Sequence, residues 1–486
     1  MKYIPATLVL ATLVSPIAYA ASPEEVLASK FRAAAALIDT QMTLEATPGA
    51  AIGVVHDQNL IWSHQYGVES HETGTAVSND TLFSICSVSK LFNGVATMSL
   101  VDEGLLALDT PVARYLGGAS TRDATGAEET ATVRNILSHV SGLPREGLRD
   151  YWSDQSFPDS DGLRKTVSEQ DQLYRPFDYW QYSNLAMSML GAVVAEVSGK
   201  PWGDYVDETI FEPLGMQRSV TDMPFEQVGD GFARGYYVRS PDGKRKPVEE
   251  HSFKAFAPAA GVASSVADMS RFLSWHFRLY ENGGEEILKA TTLKQMQRVH
   301  WIGAEFDEPA WGLAYGARRY GDKTLWGHGG YCPGTRTDLV MRLPSKIGVV
   351  MMLTANDVSP GALVQTVYSL TESSITAVYD AETNDDETDK DSSENASFSE
   401  YEGVYLVENY PDDMYVGVTE EGLFALSLLS SDAVSDMEEW VHEDGDRFRR
   451  KRDDDTLAES IDFERDDQGR IKSLMHHGYR SMKAQQ

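Results

Sequence analysis

A serine stands three residues before a lysine in Ser87-Val88-Ser89-Lys90, and the apolar residues that follow, Leu91, Phe92, Val95 and Met98, recur at helical spacing. On a helix, positions i and i+3 share a face, so Lys90 can sit against the Ser87 hydroxyl, and a helix N-terminus favours developing negative charge. That is the arrangement of a nucleophile beside its activator. Alone the pattern is weak, because ordinary Ser and Lys frequencies of roughly 6–7 % each give about two chance matches in so long a chain. A second group, Tyr182-Ser183-Asn184, lies just before an apolar run, with Tyr182 and Asn184 on one side by alternation. A third, Trp326-Gly327-His328-Gly329-Gly330, closes a predicted edge strand whose glycines let a substrate backbone approach closely. Each also has a structural reading: an aromatic packed on a helix, a capping Asn, a Gly-rich turn.

The elements that must position these residues are legible from pattern. Residues 23–45 read as a helix ending near Pro48-Gly49, and strand-like runs at 51–55 and 60–66 flank the polar turn His56-Asp57-Gln58-Asn59, a hairpin signature. A helix is expected from Ser87 to Gly104. Between about 105 and 325 the chain reads as helix and loop, including an almost wholly apolar helix at 185–197 that must be buried. Strands return at 324–328, 338–343 and 348–354, followed by a helix over 362–379. A hairpin, a helical insertion, more strands and a closing helix make an α+β antiparallel sheet flanked by helices, with an inserted helical subdomain.

The chain ends carry other signals. Lys2, the apolar stretch through Leu8, Val9, Leu10, Leu13 and Val14, and Ala18-Tyr19-Ala20 before Ala21 read as a secretory signal peptide over 1–20. The alternative, a buried helix, is interrupted by Pro5 and Pro16. Export to the periplasm or medium is therefore expected, with no membrane span in the mature protein, since no other stretch approaches about 20 apolar residues. Residues 381–397 read as an acidic linker: 381–395 hold seven acidic residues, one Lys and no large apolar residue. Residues 398–486 alternate apolar and polar residues across turns at Glu421-Gly422, Asp444-Gly445 and Gln468-Gly469, a small all-β meander or lipocalin-like barrel. The expected domains are thus 21–380 and 398–486.

Composition narrows the function. A net charge of −32 repels phosphate backbones and anionic lipid, which excludes nucleic acid as a partner. The eleven histidines show no HExxH and no regular Cys/His spacing, so neither a metal nor another cofactor is indicated. The partner left is a small-molecule or peptide substrate, with self-association through the C-terminal domain as a further option.

In this order, the three groups resemble the active-site motifs of the serine β-lactamase and penicillin-binding-protein superfamily, closest to the branch of class C β-lactamases, D-aminopeptidases and β-lactamase-like carboxylesterases. The likeness extends to Ile136-Leu137-Ser138-His139-Val140-Ser141-Gly142-Leu143-Pro144, Phe211-Glu212-Pro213-Leu214-Gly215-Met216 and Gly261-Val262-Ala263-Ser264-Ser265 with Asp268-Met269. It implies a β-lactamase/transpeptidase-like fold over about 25–380 and a serine hydrolase acting through an acyl-enzyme on Ser87. Tyr182, its pKa lowered by the Lys90 ammonium, would be the general base; Asn184 would hold Lys90 and a substrate amide; and the N–H groups of Ser87 and Tyr331 would form the oxyanion hole. His139 falls inside a signature loop and reads as structural.

The departure lies in the third motif, where His328-Gly329-Gly330 replaces the Lys-Thr-Gly usual in β-lactamases, so a fixed cation and a hydroxyl are absent and the charge of His328 would depend on pH. Small peptides, including ones with D-amino acids, and acyl esters remain open as substrates. A penicillin-recognising sensor with little turnover, or a weak β-lactamase, is the alternative. In this fold the start of the nucleophile's helix faces the third-motif strand, and some class A carbapenemases bridge matching positions. The resemblance therefore implies a disulfide between Cys86 and Cys332, the chain's two cysteines, against two buried free thiols.

Overall fold

The computed structural model describes residues 21–117, 131–147, 151–249, 251–303, 309–384, 398–407, 412–430, 432–452 and 454–485. They form two compact units, Leu37–Ser373 and a second made of the described residues up to Ala36 together with those from Ser374 onward. The leader expected over 1–20 lies outside the described residues, as does the linker expected over 381–397 from residue 385 on, while its residues 381–384 continue a helix that runs to Asn384.

The first unit is built on the expected hairpin, β1 (Gly49–His56) and β2 (Asn59–Gly67). Its other strands arrive much later: β3 (Trp301–Ile302), β4 (Ala310–Trp311), β5 (Gly316–Tyr320), β6 (Lys323–Cys332), β7 (Thr335–Arg342) and β8 (Ile347–Leu353). Together they form an antiparallel sheet in the order β2-β1-β8-β7-β6-β5-β4-β3. Every residue of β1 and β8 is buried, which explains their nearly unbroken apolar sequences; they pair from Ala50 opposite Leu353 to His56 opposite Ile347. The third-motif strand is not the edge strand expected. Lys323 to Gly327 of β6 pair with β5, while Trp326 to Cys332 pair with β7. Beyond Gly327 one side of β6 loses its partner, so only the end carrying the motif behaves as an edge.

The helices include α1 (Pro23–Leu44), α2 (Ser89–Asp102), α3 (Val133–Leu137), α4 (Asn184–Ser198), α5 (Val266–Asn282) and α6 (Gly361–Asn384). In α2 everything from Ser89 to Leu100 is buried, and α4 buries Asn184 to Gly191 on all sides, as its apolar sequence requires. Each of Leu185, Met187, Met189 and Leu190 contributes about 1.5–3 kcal/mol relative to exposure. Ser183 caps α4 by accepting from the Ala186 N–H at 2.9 Å, and Gly199 ends it with φ 72°. One polar residue locks the two helices: Asn93 of α2 donates to Met187 O at 2.9 Å and accepts from Trp202 Nε1 at 3.0 Å.

The second unit holds a closed barrel of β9 (Gly403–Val407), β10 (Met414–Val418), β11 (Gly422–Ser427), β12 (Glu438–Asp444), β13 (Arg447–Lys451), β14 (Leu457–Arg465), β15 (Ile471–His476) and β16 (Tyr479–Lys483). Closure removes the edges that an eight-stranded meander would otherwise expose. Its core includes Tyr405, Val416, Leu423, Trp440, Phe448, Ile461 and Leu474, and also Ala21 and Val26 from the start of the chain. Ser29 Oγ donates to Glu402 at 2.6 Å and accepts from the Val418 N–H at 2.9 Å, while Arg32 binds Glu402 through two nitrogens at 2.9 and 2.6 Å. The barrel unit therefore takes in the first part of α1, which sequence pattern assigns to 21–380.

Candidate active site

The nucleophile's segment begins with a strained residue. Cys86 has φ 53°, in the left-handed region that few side chains adopt, and opens a single 3₁₀ turn over Cys86–Val88 before α2 proper starts at Ser89. A disulfide to Cys332 at the end of β6 fixes it there, with the two Cα atoms 5.5 Å apart. Gly330 completes the approach, because a Cβ at that position would collide with the Ile85 carbonyl and crowd Cys86. This glycine admits the protein's own backbone, not a substrate's.

Lys90 is fully buried one turn further along. Its Nζ donates to Asn184 Oδ1 at 2.8 Å and to Ala259 O at 2.7 Å, and lies 3.1 Å from Ser87 Oγ. Burial pushes its pKa well below the usual amine range, an effect that the negative Glu146 partly offsets and Arg145 reinforces. A neutral amine has two N–H bonds and one lone pair. In that form the two carbonyl oxygens would take the former, and the lone pair would face the Ser87 hydroxyl.

Tyr182 hydrogen-bonds Ser87 through its side chain, and Lys90 Nζ and the Arg145 guanidinium each stand 4.8 Å from its ring centre. The lowered phenol pKa expected from sequence is not found. Burial raises it, and the pull of the Ser87 hydrogen bond and Arg145 does not compensate, so Tyr182 stays protonated. Rings surround it: His139 at 4.4 Å, Trp180 and His328 at 6.0 Å and Trp311 at 6.3 Å between centroids. His328 differs from expectation too. Its pKa is pushed down to about 3, chiefly by burial and further by Lys90, so it is neutral at physiological pH and brings no pH-dependent charge to the third motif.

The loop carrying Tyr182 is docked on the 139–145 stretch. Gln181 N–H donates to His139 O at 2.8 Å, Ser183 N–H to His139 Nδ1 at 3.3 Å, Ser183 Oγ to Pro144 O at 2.6 Å, and Asn184 N–H to Arg145 O at 2.8 Å. His139 holds that loop: in left-handed backbone (φ 56°), it accepts at Nδ1 from the tyrosine loop and packs its face on the Tyr182 ring.

The profile of the family described as Beta-lactamase matches residues 34–368. The chain belongs to the β-lactamase family. "Esterase EstB" of Burkholderia gladioli is 31% identical over 58% of this chain and 77% of its own length, and "Penicillin-binding protein 4" of Amycolatopsis lactamdurans is 30% identical over 65% and 83%. Among solved structures, an octameric penicillin-binding protein homologue from Pyrococcus abyssi shares the fold over 93% of this chain and 99% of its own, with a TM-score of 0.61 and 20% identity. A class C β-lactamase from Rhodobacter sphaeroides shares it over 72% and 99%, with a TM-score of 0.57 and 22% identity.

In this β-lactamase-family chain Ser87, Tyr182, Asn184, His328, Gly329, Gly330 and Tyr331 all line one cavity of about 830 Å³. Sequence motifs miss several of its other walls. Glu146 is one: its Oε1 accepts from Asn184 Nδ2 at 2.5 Å, and burial raises its pKa. The cation and hydroxyl lacking in the third motif stand instead on the next strand. Arg336 stacks over the Tyr331 ring at 4.0 Å, and the buried Thr337 Oγ1 has no hydrogen-bond partner. Arg318 also lines the cavity but is committed to Asp338 by two 2.6 Å bonds. Arg336 and Thr337 reach the cavity by facing Tyr331 and Gly330 across the β6–β7 register, which no sequence motif records.

Proposed function

We propose that this protein is a serine hydrolase that cleaves esters of small acyl groups through an acyl-enzyme on Ser87, with amides of short peptides as its second substrate class. The observation that carries the reading is the fully buried Lys90, its pKa driven down by burial and its Nζ 3.1 Å from Ser87 Oγ. Ser87 Oγ attacks the carbonyl carbon and passes its proton to Lys90 Nζ. The carbonyl oxygen becomes negative between the N–H groups of Ser87 and Tyr331. As the intermediate collapses, protonated Tyr182 gives its proton to the leaving alcohol or amine, and Lys90 restores it. In the second half a water adds to the acyl carbon, its proton is taken up by Lys90, and Ser87 Oγ regains a proton as the acid departs.

The aromatic walls Trp152, Trp180 and Tyr237 suit an apolar acyl group, which agrees with the similarity to EstB. Arg336 and Thr337 favour a second reading, in which the substrate carries a carboxylate as peptides and penicillins do. The disulfide fits action outside the cytoplasm, as the leader reading requires. Among the described residues no helix is long and apolar enough to cross a membrane.

A panel of p-nitrophenyl esters, D- and L-aminoacyl anilides, D-Ala-D-Ala peptides and nitrocefin tests the proposal, with a fluorescent penicillin as a trapping probe. Turnover of at least one ester, lost in Ser87→Ala, is expected. Durable penicillin label without turnover of any substrate would instead establish the sensor.

A further inference from the structure

The barrel contains a second chemically poised cluster, within the second unit. Glu438 at the start of β12, His476 at the end of β15 and His477 in the turn that follows bring one ligand atom each to within 4.8 Å of one another. In the barrel order, β13 and β14 separate β12 from β15, so these residues meet although their strands are not neighbours. We propose that Glu438, His476 and His477 form a zinc-binding site that ties β12 to the β15–β16 hairpin.

The geometry around each ligand supports this. His476 is only 8% exposed, and its Nε2 lies 3.1 Å from Glu438 Oε2, an ion-pair distance. An imidazole nitrogen and a carboxylate oxygen held at this separation fit two ligands of one cation. Tetrahedral zinc with bonds near 2.0–2.1 Å holds neighbouring ligand atoms roughly 3.3 Å apart.

The turn places the second imidazole. His476 pairs with Tyr479, leaving His477 and Gly478 as a two-residue turn with φ 51° and 82°. On an extended strand consecutive side chains point to opposite faces; the left-handed turn breaks that alternation and stacks the two rings at 3.8 Å. His477 Nε2 is held by Glu459 Oε1 at 2.7 Å, which leaves Nδ1 for a cation, the carboxylate–histidine pairing that orients metal ligands. Glu438 is held in the same way, by Trp440 Nε1 at 3.0 Å on Oε2 and Arg450 Nε at 3.1 Å on Oε1. Two imidazoles and a carboxylate suit zinc, and the half-exposed His477 leaves room for a water as fourth ligand.

The test uses the full-length chain without a histidine tag, stripped of metal and titrated with zinc chloride by calorimetry, with cobalt chloride as a visible-absorption probe of tetrahedral geometry. One equivalent per chain is expected, bound at least about tenfold more weakly by Glu459→Gln, whose substitution leaves the ligands in place. His477→Asn tolerates the left-handed turn and removes a ligand, so it should abolish stoichiometric binding while far-UV circular dichroism and ester hydrolysis remain as in the parent. No binding by the parent at on the order of 100 μM zinc, or equal binding by His477→Asn, overturns the site.

Discussion

Glu146 Oε1 accepts a 2.5 Å hydrogen bond from Asn184 Nδ2, so the amide that holds Lys90 is itself held by a buried carboxylate. The negative charge of Glu146 raises the Lys90 pKa against the larger effect of burial. Acylation needs the neutral amine, so kcat/KM rises with pH as Lys90 loses its proton. Glu146→Gln removes the charge, lowers the Lys90 pKa further and should move the acid limb of the kcat/KM profile to lower pH. A limb that stays in place or moves upward in this variant would refute the coupling.

His328 should leave that limb alone. With its pKa pushed down to about 3, it carries no charge at physiological pH. His328→Gln is therefore expected to change KM through the shape of the cavity and to keep the limb's midpoint. If the midpoint shifts, the histidine carries a charge that its burial argues against.

Replacing Ser87 by Ala should remove hydrolysis by more than about a thousandfold, the scale on which nucleophiles of such constellations fail. Lys90→Ala and Tyr182→Phe should be nearly as damaging. Double variants should cost little beyond the worst single one, because the three groups act as a unit. Residual activity above a tenth of the parent in Ser87→Ala on the best ester would mean that another residue is the nucleophile.

Local pattern shows the hairpin, the buried helices, the barrel and the three motifs, because apolar period and turn chemistry are properties of neighbouring residues. It does not show electrostatics. Burial among Asn184, Ala259 and a ring of aromatic side chains pushes the Lys90 pKa down and the Tyr182 pKa up, where the motifs suggested a lowered phenol. Glu146 and Arg336 stay invisible because no motif contains them; they enter the cavity through a docked loop and a cross-strand register. The edge character of β6 is legible only in part, since where β5 stops pairing is set by the sheet and not by the glycines.

The Cys86–Cys332 bridge closes a loop of 246 residues and joins the segments that bear Ser87 and Tyr331. Removing such a bridge costs about 2–5 kcal/mol. The Cys86→Ala/Cys332→Ala double variant should melt lower and lose kcat more than it raises KM, since the oxyanion-hole spacing is held by the same link. Intact mass after alkylation without reductant checks the bond directly, and two alkylated thiols in the parent would exclude it.

Removal of residues 381–486 tests the share of α1 in the barrel. Among the described residues the core around α2, α4 and α5 contains no barrel residue, so the catalytic unit should fold and keep ester hydrolysis within about threefold, as an independent core allows. The start of α1 fares differently. Val26 loses the barrel core it is buried in, and Ser29 and Arg32 lose Glu402, whose carboxyl they hold below its ordinary pKa range together with Tyr415 and against the opposing effect of burial. An apolar helix face without a partner frays, because helical stability comes mostly from packing. Limited proteolysis should then cut within residues 23–36 in the truncated protein and leave that stretch intact in the full chain. An insoluble or inactive truncation would show that the catalytic unit needs the barrel to fold, and an uncut α1 would show that its first turns hold without Glu402.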